Sequence, residues 1–139
     1  MAAITTPDEI ELARLPVVRI QDVLLSRMVV REEATRLGFS AQAVTQIATA
    51  VSEIARNVVQ HAGCTGQIRV LRTSEDGRLG LKITVEDAGI GIGDVGRALA
   101  GTSPGAGIAG SRKLMDEFTI RSNAGGGTAV TMVKWRVSA

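Results

Sequence analysis

From Ser40 onward, Val44, Ile47, Val51, Ile54 and Val58 recur at intervals of three and four residues, with polar or small side chains between them. That period places the apolar groups on one side of a helix and predicts a core helix over residues 41–62, capped by Ser40 and ended by Gly63 and Gly66. An earlier helix is predicted from an Asp22 cap through Leu24, Leu25, Met28 and Leu37 to Gly38, a residue suited to the left-handed position after a helix. The pattern then changes period. Leu81-Lys82-Ile83-Thr84-Val85-Glu86 alternates apolar and polar without exception, as in a strand with one buried face.

Gln67 to Thr73, Phe118 to Ser122 and Thr128 to Val137 read as further strands. Turn chemistry at Ser74-Glu75-Asp76-Gly77 and Asn123-Ala124-Gly125-Gly126-Gly127 makes hairpins of them. Val17 to Ile20 is a short strand candidate, and Ser111 to Glu117 a short helix. Residues 1–15 are polar, with a turn-like Thr5-Thr6-Pro7-Asp8, and read as a flexible arm before a single domain at 16–139. Strands outnumber helices and are joined by tight turns, so the expected fold is α+β: a two-layer α/β sandwich whose mixed, mostly antiparallel sheet carries helices on one face.

At 139 residues the chain is long enough for one core. Apolar residues are 45% of the chain but aromatics only 2%, so that core must be aliphatic. The net charge of +2 comes from scattered arginines, and stacking aromatics are scarce, which disfavours nucleic acid as a partner. A single cysteine, Cys64, and a single histidine, His61, exclude an internal disulfide and a Cys/His zinc set. The first twenty residues carry Asp8, Glu9 and Glu11 and no long apolar run, so the expectation is a cytoplasmic protein without a membrane segment.

Three short segments carry the candidate chemistry. Glu53 and Asn57, four residues apart, share one helix stripe with Gln46 and Ala50, beside the apolar arc. An amide oxygen at 57 suits a hard cation such as Mg²⁺, and a carboxylate one turn away can take a proton from an attacking hydroxyl. Taken alone, the spacing is more often a solvated helix face. Asp87, just past a strand, is followed by Gly89 and Gly91. A carboxylate fixed there can accept a hydrogen bond from an exocyclic amine, favouring adenine over guanine, while the glycines let a ring approach the backbone; the alternative is a plain turn.

Residues 88–110 hold eight of the sixteen glycines, which predicts a mobile lid over about 92–110. Gly105, Gly107 and Gly110 fit G-x-G-x-x-G. Because a loop precedes them and no Gly-Lys-Ser/Thr occurs, neither a dinucleotide fold nor a Walker loop fits. What remains is a glycine loop running into a helix start, where free N–H groups attract phosphates, against the alternative of a flexible linker. Thr128 follows three glycines, and its hydroxyl can reach a bound base. Arg112 and Lys113, near the lid helix, are more often solvated surface than phosphate contacts.

With these residues together, the chain resembles the Bergerat-fold (GHKL) ATPase and kinase superfamily shared by DNA gyrase and sensor histidine kinases. Glu53…Asn57, Asp87-x-Gly89-x-Gly91, Gly105-x-Gly107-x-x-Gly110 and Gly127-Thr128 match its boxes across residues 17–136. The runs Ser52 to Asn57 and Gly105 to Phe118 are similar to the switch serine/threonine kinases of bacterial stressosomes, with anti-sigma-factor kinases as relatives. The resemblance implies an ATP- and Mg²⁺-dependent protein-serine/threonine kinase, with Glu53 as general base, Asn57 as metal ligand and Asp87 as adenine reader. It places Gly89 and Gly91 under the base and wraps Gly105, Gly107 and Gly110 round the phosphates. The implied partners are a STAS-domain phosphoacceptor and an RsbU-type protein phosphatase. The alternative is an anti-sigma factor or nucleotide-gated binding module, holding a sigma factor with little turnover. Ile90 and Ala109 stand where many relatives carry proline.

Overall fold

The computed structural model describes residues 8–62, 65–88, 106–123 and 127–137. Strands β1 (Ile10–Val17), β2 (Gly66–Glu75), β3 (Arg78–Asp87), β4 (Glu117–Asn123) and β5 (Gly127–Trp135) form one sheet in the order β1-β2-β3-β5-β4. Helices α1 (Ile20–Arg36), α2 (Ala41–Asn57) and α3 (Ala106–Leu114) accompany it, and one π-helical turn, Val58–Ala62, continues α2. All neighbouring strands run antiparallel, so the parallel component of the expected mixed sheet is absent among the described residues.

Period 2 assigns the faces. Ile68, Val70, Leu81, Ile83, Val85, Val130 and Met132 all lie buried in one cluster with the apolar residues of α2. The five periodic positions from Val44 to Val58, four in α2 and the last in the turn that continues it, are all buried. Ser40 caps that helix, its Oγ accepting from the Ala43 N–H at 3.1 Å. Gly38 before it has φ +89°, the left-handed conformation expected of a helix stop. The β2–β3 hairpin closes on Asp76 and Gly77, both at positive φ as a two-residue turn of the type I′ kind needs.

Two expectations are corrected. Residues 10–15 are not part of a flexible arm but the body of edge strand β1, paired with β2 from Ile10↔Arg72 to Val17↔Gly66. A register shift between Glu11 and Ala13 hides the alternation, and Pro16, which has no N–H, is tolerated because the strand lies at the edge. Asp22 is not the cap of α1, which begins at Ile20. It is the third helical residue, and its Oδ2 reaches back to accept from the Val18 and Arg19 N–H groups, both at 2.9 Å. Those two donors hold the Asp22 carboxyl below the usual carboxylate range.

Candidate functional site

The strand register builds a row of residues across one end of the sheet. Val17 pairs with Gly66, Gly66 with Asp87, Asp87 with Thr128, and Thr128 with Ser122. Asp87 is two residues beyond buried Val85, and Thr128 two before buried Val130, so both project from the helix-covered face. The Thr128 and Ser122 hydroxyls are 3.0 Å apart and bonded to each other. This end row is the floor of the candidate site.

The end of α2 comes down on that floor. A β-carbon on Gly66 would stand 2.7 Å from Val58 Cγ1 and 3.0 Å from the Glu86 carbonyl, so the bare glycine is what lets the helix end approach the sheet. Asn57 immediately precedes Val58. Asn57 and Glu53 therefore lie over the same end of the sheet as Asp87. Both are half-buried, and Glu53 Oε1 accepts from Arg56 Nη1 at 3.0 Å.

The third wall is α3. Its middle packs on α2, with the fully buried Ser111 donating from Oγ to the Ala50 carbonyl at 3.1 Å and Ile108 and Ala109 buried beside it. That contact explains a departure on the Gln46–Ala50–Glu53–Asn57 stripe, where Ala50 is wholly buried instead of flanking the core. The C-terminal end of α3 is tied to the far end of β5: the Asp116 N–H donates to Val133 O and Lys134 Nζ to Leu114 O, at 3.0 and 2.7 Å. The start of α2 lies at that far end too, where Phe39, Gln42 and Ala43 line a cleft with Asp116 and Trp135. With its C-terminus there and its middle against Ala50, α3 points its N-terminus toward the Glu53–Asn57 end.

Four elements, α2, β3, β5 and α3, thus bring Glu53, Asn57, Asp87, Thr128 and the start of α3 to one end of the molecule. Gly89, Gly91, Gly105 and the glycines between them, with most of the expected lid, lie outside the described residues. Gly107 is in the first turn of α3, and Gly110 is exposed with open space where a side chain would be. Ala109 is buried in α3, where the amide N–H that a proline lacks is retained.

Three contributors escaped the reading of motifs. Gly66 reads in the sequence as a helix stop, although glycine in a strand also signals close approach. Ser111 lies in the predicted short helix, where no neighbour in sequence signals its bond to Ala50, and Arg56, three residues from Glu53, carries a visible i,i+3 charge signal. Among the described residues no three His, Cys, Asp or Glu side chains gather to hold a metal. One amide and a nearby carboxylate suit Mg²⁺ bound chiefly through waters and phosphates instead.

Residues 18–134 match the description "Histidine kinase-like ATPase domain", and the chain belongs to that family. It is a small kinase domain of the partner-switching kind. It is 41% identical over 119 residues to the serine/threonine-protein kinase RsbT of Bacillus subtilis, covering 82% of this chain and 89% of that one. It is 34% identical over 119 residues to the anti-sigma F factor of Pasteuria penetrans, covering 78% and 79% of the two. The structure of the RsbU and RsbW domains of Rv1364c from Mycobacterium tuberculosis shares the fold at TM-score 0.65 and 21% identity, over 96% of this chain and 34% of that longer one. The histidine kinase domain of the Erythrobacter litoralis EL346 blue-light activated kinase does so at 0.55 and 21%, over 83% and 59%.

Proposed function

We propose that this protein transfers the γ-phosphoryl group of ATP to a serine or threonine hydroxyl on a STAS-domain partner and so works as a partner-switching regulator. The observation that carries the reading is the gathering of Glu53, Asn57, Asp87 and Thr128 at the end of the sheet toward which α3 starts. Asp87 accepts from the adenine amine, Thr128 assists through its hydroxyl, and the glycines at 89 and 91 lie under the ring. Those at 105 and 107 offer N–H groups to the phosphates at the helix start, and Gly110, past the free N–H groups of the first turn, leaves open space beside them. Asn57 would hold Mg²⁺, which would supply neutralisation of phosphate charge there.

Transfer then needs one proton acceptor. Glu53 takes the proton of the incoming hydroxyl as its oxygen bonds to the γ-phosphorus, the bond from that phosphorus to the bridging oxygen breaks, and ADP carries the electron pair away. Likeness to RsbT supports the kinase assignment, and the phosphorylation state of the acceptor would decide whether this protein is held or freed to act on an RsbU-type phosphatase.

Labelled γ-phosphate should pass from ATP to a cognate STAS protein, and Glu53→Gln should lower that rate by about 10²–10⁴-fold, the usual worth of a general base. Glu53→Gln should keep the rise in melting temperature given by ATP and Mg²⁺, and Asp87→Asn should lose it. Likeness to anti-sigma F factors favours a second reading, nucleotide-gated capture of a sigma factor. Capture by the parent protein with no label transferred would select it.

A further inference from the structure

Seven large apolar side chains are exposed among the described residues, and five of them, Val18, Ile20, Leu24, Leu25 and Met28, fall within eleven consecutive positions. Ile20, Leu24 and Met28 are four apart and form one outward stripe on α1, 50%, 61% and 66% exposed. The other side of α1 is fully engaged: Val23, Ser26, Val30 and Ala34 are buried in the core. Isolated exposed leucines mean little, but an aligned stripe on a helix whose opposite face is already packed marks a surface built to be covered.

Charge says what covers it. Arg27 and Arg31 stand three residues after Leu24 and Met28, so each borders the stripe directly, and Arg19 lies at its N-terminal end. None of the three is in an ion pair among the described residues. The acids of α1 are committed elsewhere, Asp22 to the Val18 and Arg19 N–H groups and Glu32 and Glu33 to Arg36. We propose that the outer face of α1 docks an amphipathic helix of a partner protein, with apolar residues on Leu24 and Met28 and acidic residues flanking them opposite Arg19, Arg27 and Arg31.

A second copy fits worse. Two-fold pairing about Leu24 sets Ile20 on Met28 but brings Arg31 beside Arg19 and Arg27 opposite Gln21, with no acid to meet either arginine. An anionic membrane is disfavoured because the stripe is only about 12 Å long and contains no aromatic residue, unlike helices that lie in lipid surfaces. Methionine and arginine are instead enriched where proteins meet. The stripe does not depend on the nucleotide reading, yet its N-terminal end adjoins Val17, which opens the site's end row.

The test is photocrosslinking of the full chain in its native host, with p-benzoylphenylalanine in place of Leu24 and, as control, in place of Glu75 at the far hairpin. The expected product joins position 24 to an acidic amphipathic helix of another protein, identified by peptide mass spectrometry. Arg27→Glu with Arg31→Glu should reduce it at least tenfold while thermal unfolding stays within a few degrees of the parent. A crosslink to a second copy or to lipid overturns the proposal. So does a yield no higher than at position 75, or one indifferent to the charge reversal in a folded variant.

Discussion

Gly127 leaves no room for a β-carbon against the carbonyl of Asp87, and it holds φ +87°, where side-chain-bearing residues are strained. The residue that starts β5 therefore sets how closely Thr128 is brought alongside Asp87. Gly127→Ala combines a backbone clash with a left-handed conformation. It should destabilise the protein by about 1–3 kcal/mol in urea unfolding. ATP-dependent thermal stabilisation should fall as well, because displacing β5 moves Thr128 away from Asp87 on neighbouring β3, and these are the two candidate base-reading groups.

Gly66 predicts a similar effect by a different route. Gly66→Ala would press a methyl into Val58 Cγ1, and overpacking of this kind costs about 1–3 kcal/mol. Adding Val58→Ala should recover part of the loss. The Glu86 carbonyl, 3.0 Å from the same β-carbon, keeps recovery incomplete. A double-mutant cycle on unfolding free energy reads the coupling directly, and additive losses would deny the contact.

Edge strand β1 is tied down by ionic contacts whose pH dependence is predictable. Glu11 accepts from Arg14 at 2.8 and 3.2 Å and from Arg69 Nε at 2.7 Å. Its carboxyl is thereby lowered from 4.5 to about 2. Because the folded value lies below the unfolded one, this contribution is complete above pH 4.5 and disappears as pH falls toward 2. The parent should lose stability through that window more steeply than Glu11→Gln, measured by urea unfolding at successive pH values. Parallel curves would show that the contacts carry no weight.

The sequence exposed most of this architecture where local chemistry and tertiary packing agree. Val44 to Val58 kept an uninterrupted helical period because one face meets a flat aliphatic layer, and Asp76-Gly77 specified its hairpin through backbone conformation alone. β1 was hidden because its bulge at Glu11 to Ala13 breaks the alternation, and because Glu11 and the preceding Glu9, both ion-paired to side chains of the sheet, resemble the acids of a solvated arm. The candidate residues were visible as motifs, but their common floor was not. The row Val17–Gly66–Asp87–Thr128–Ser122 depends on β5 inserting between β3 and β4, a long-range order that no local pattern records. Gly66 and Ser111 matter through what they touch across the fold, so their neighbours in the chain could not reveal them.

Arg56 offers a way to separate geometry from stability at the proposed general base. Its guanidinium holds one carboxylate oxygen of Glu53 at 3.0 Å, one helical turn away, leaving the other oxygen of that carboxylate for a substrate proton. Both side chains are about two-fifths exposed, at 40% and 38%, so screening by water keeps the pair's contribution to folding below about 1 kcal/mol. Arg56→Ala should thus unfold within about 1 kcal/mol of the parent. Phosphoryl transfer responds differently, since a base free to swing away is misaligned for much of the time. The expected result is a fall in kcat on the order of tenfold, with the KM for ATP unchanged and partial recovery in Arg56→Lys, which keeps the charge but not the planar fork. A parallel loss of stability and kcat would place Arg56 among the structural residues of α2, and an unchanged kcat would mean that Glu53 is aligned by its helix alone.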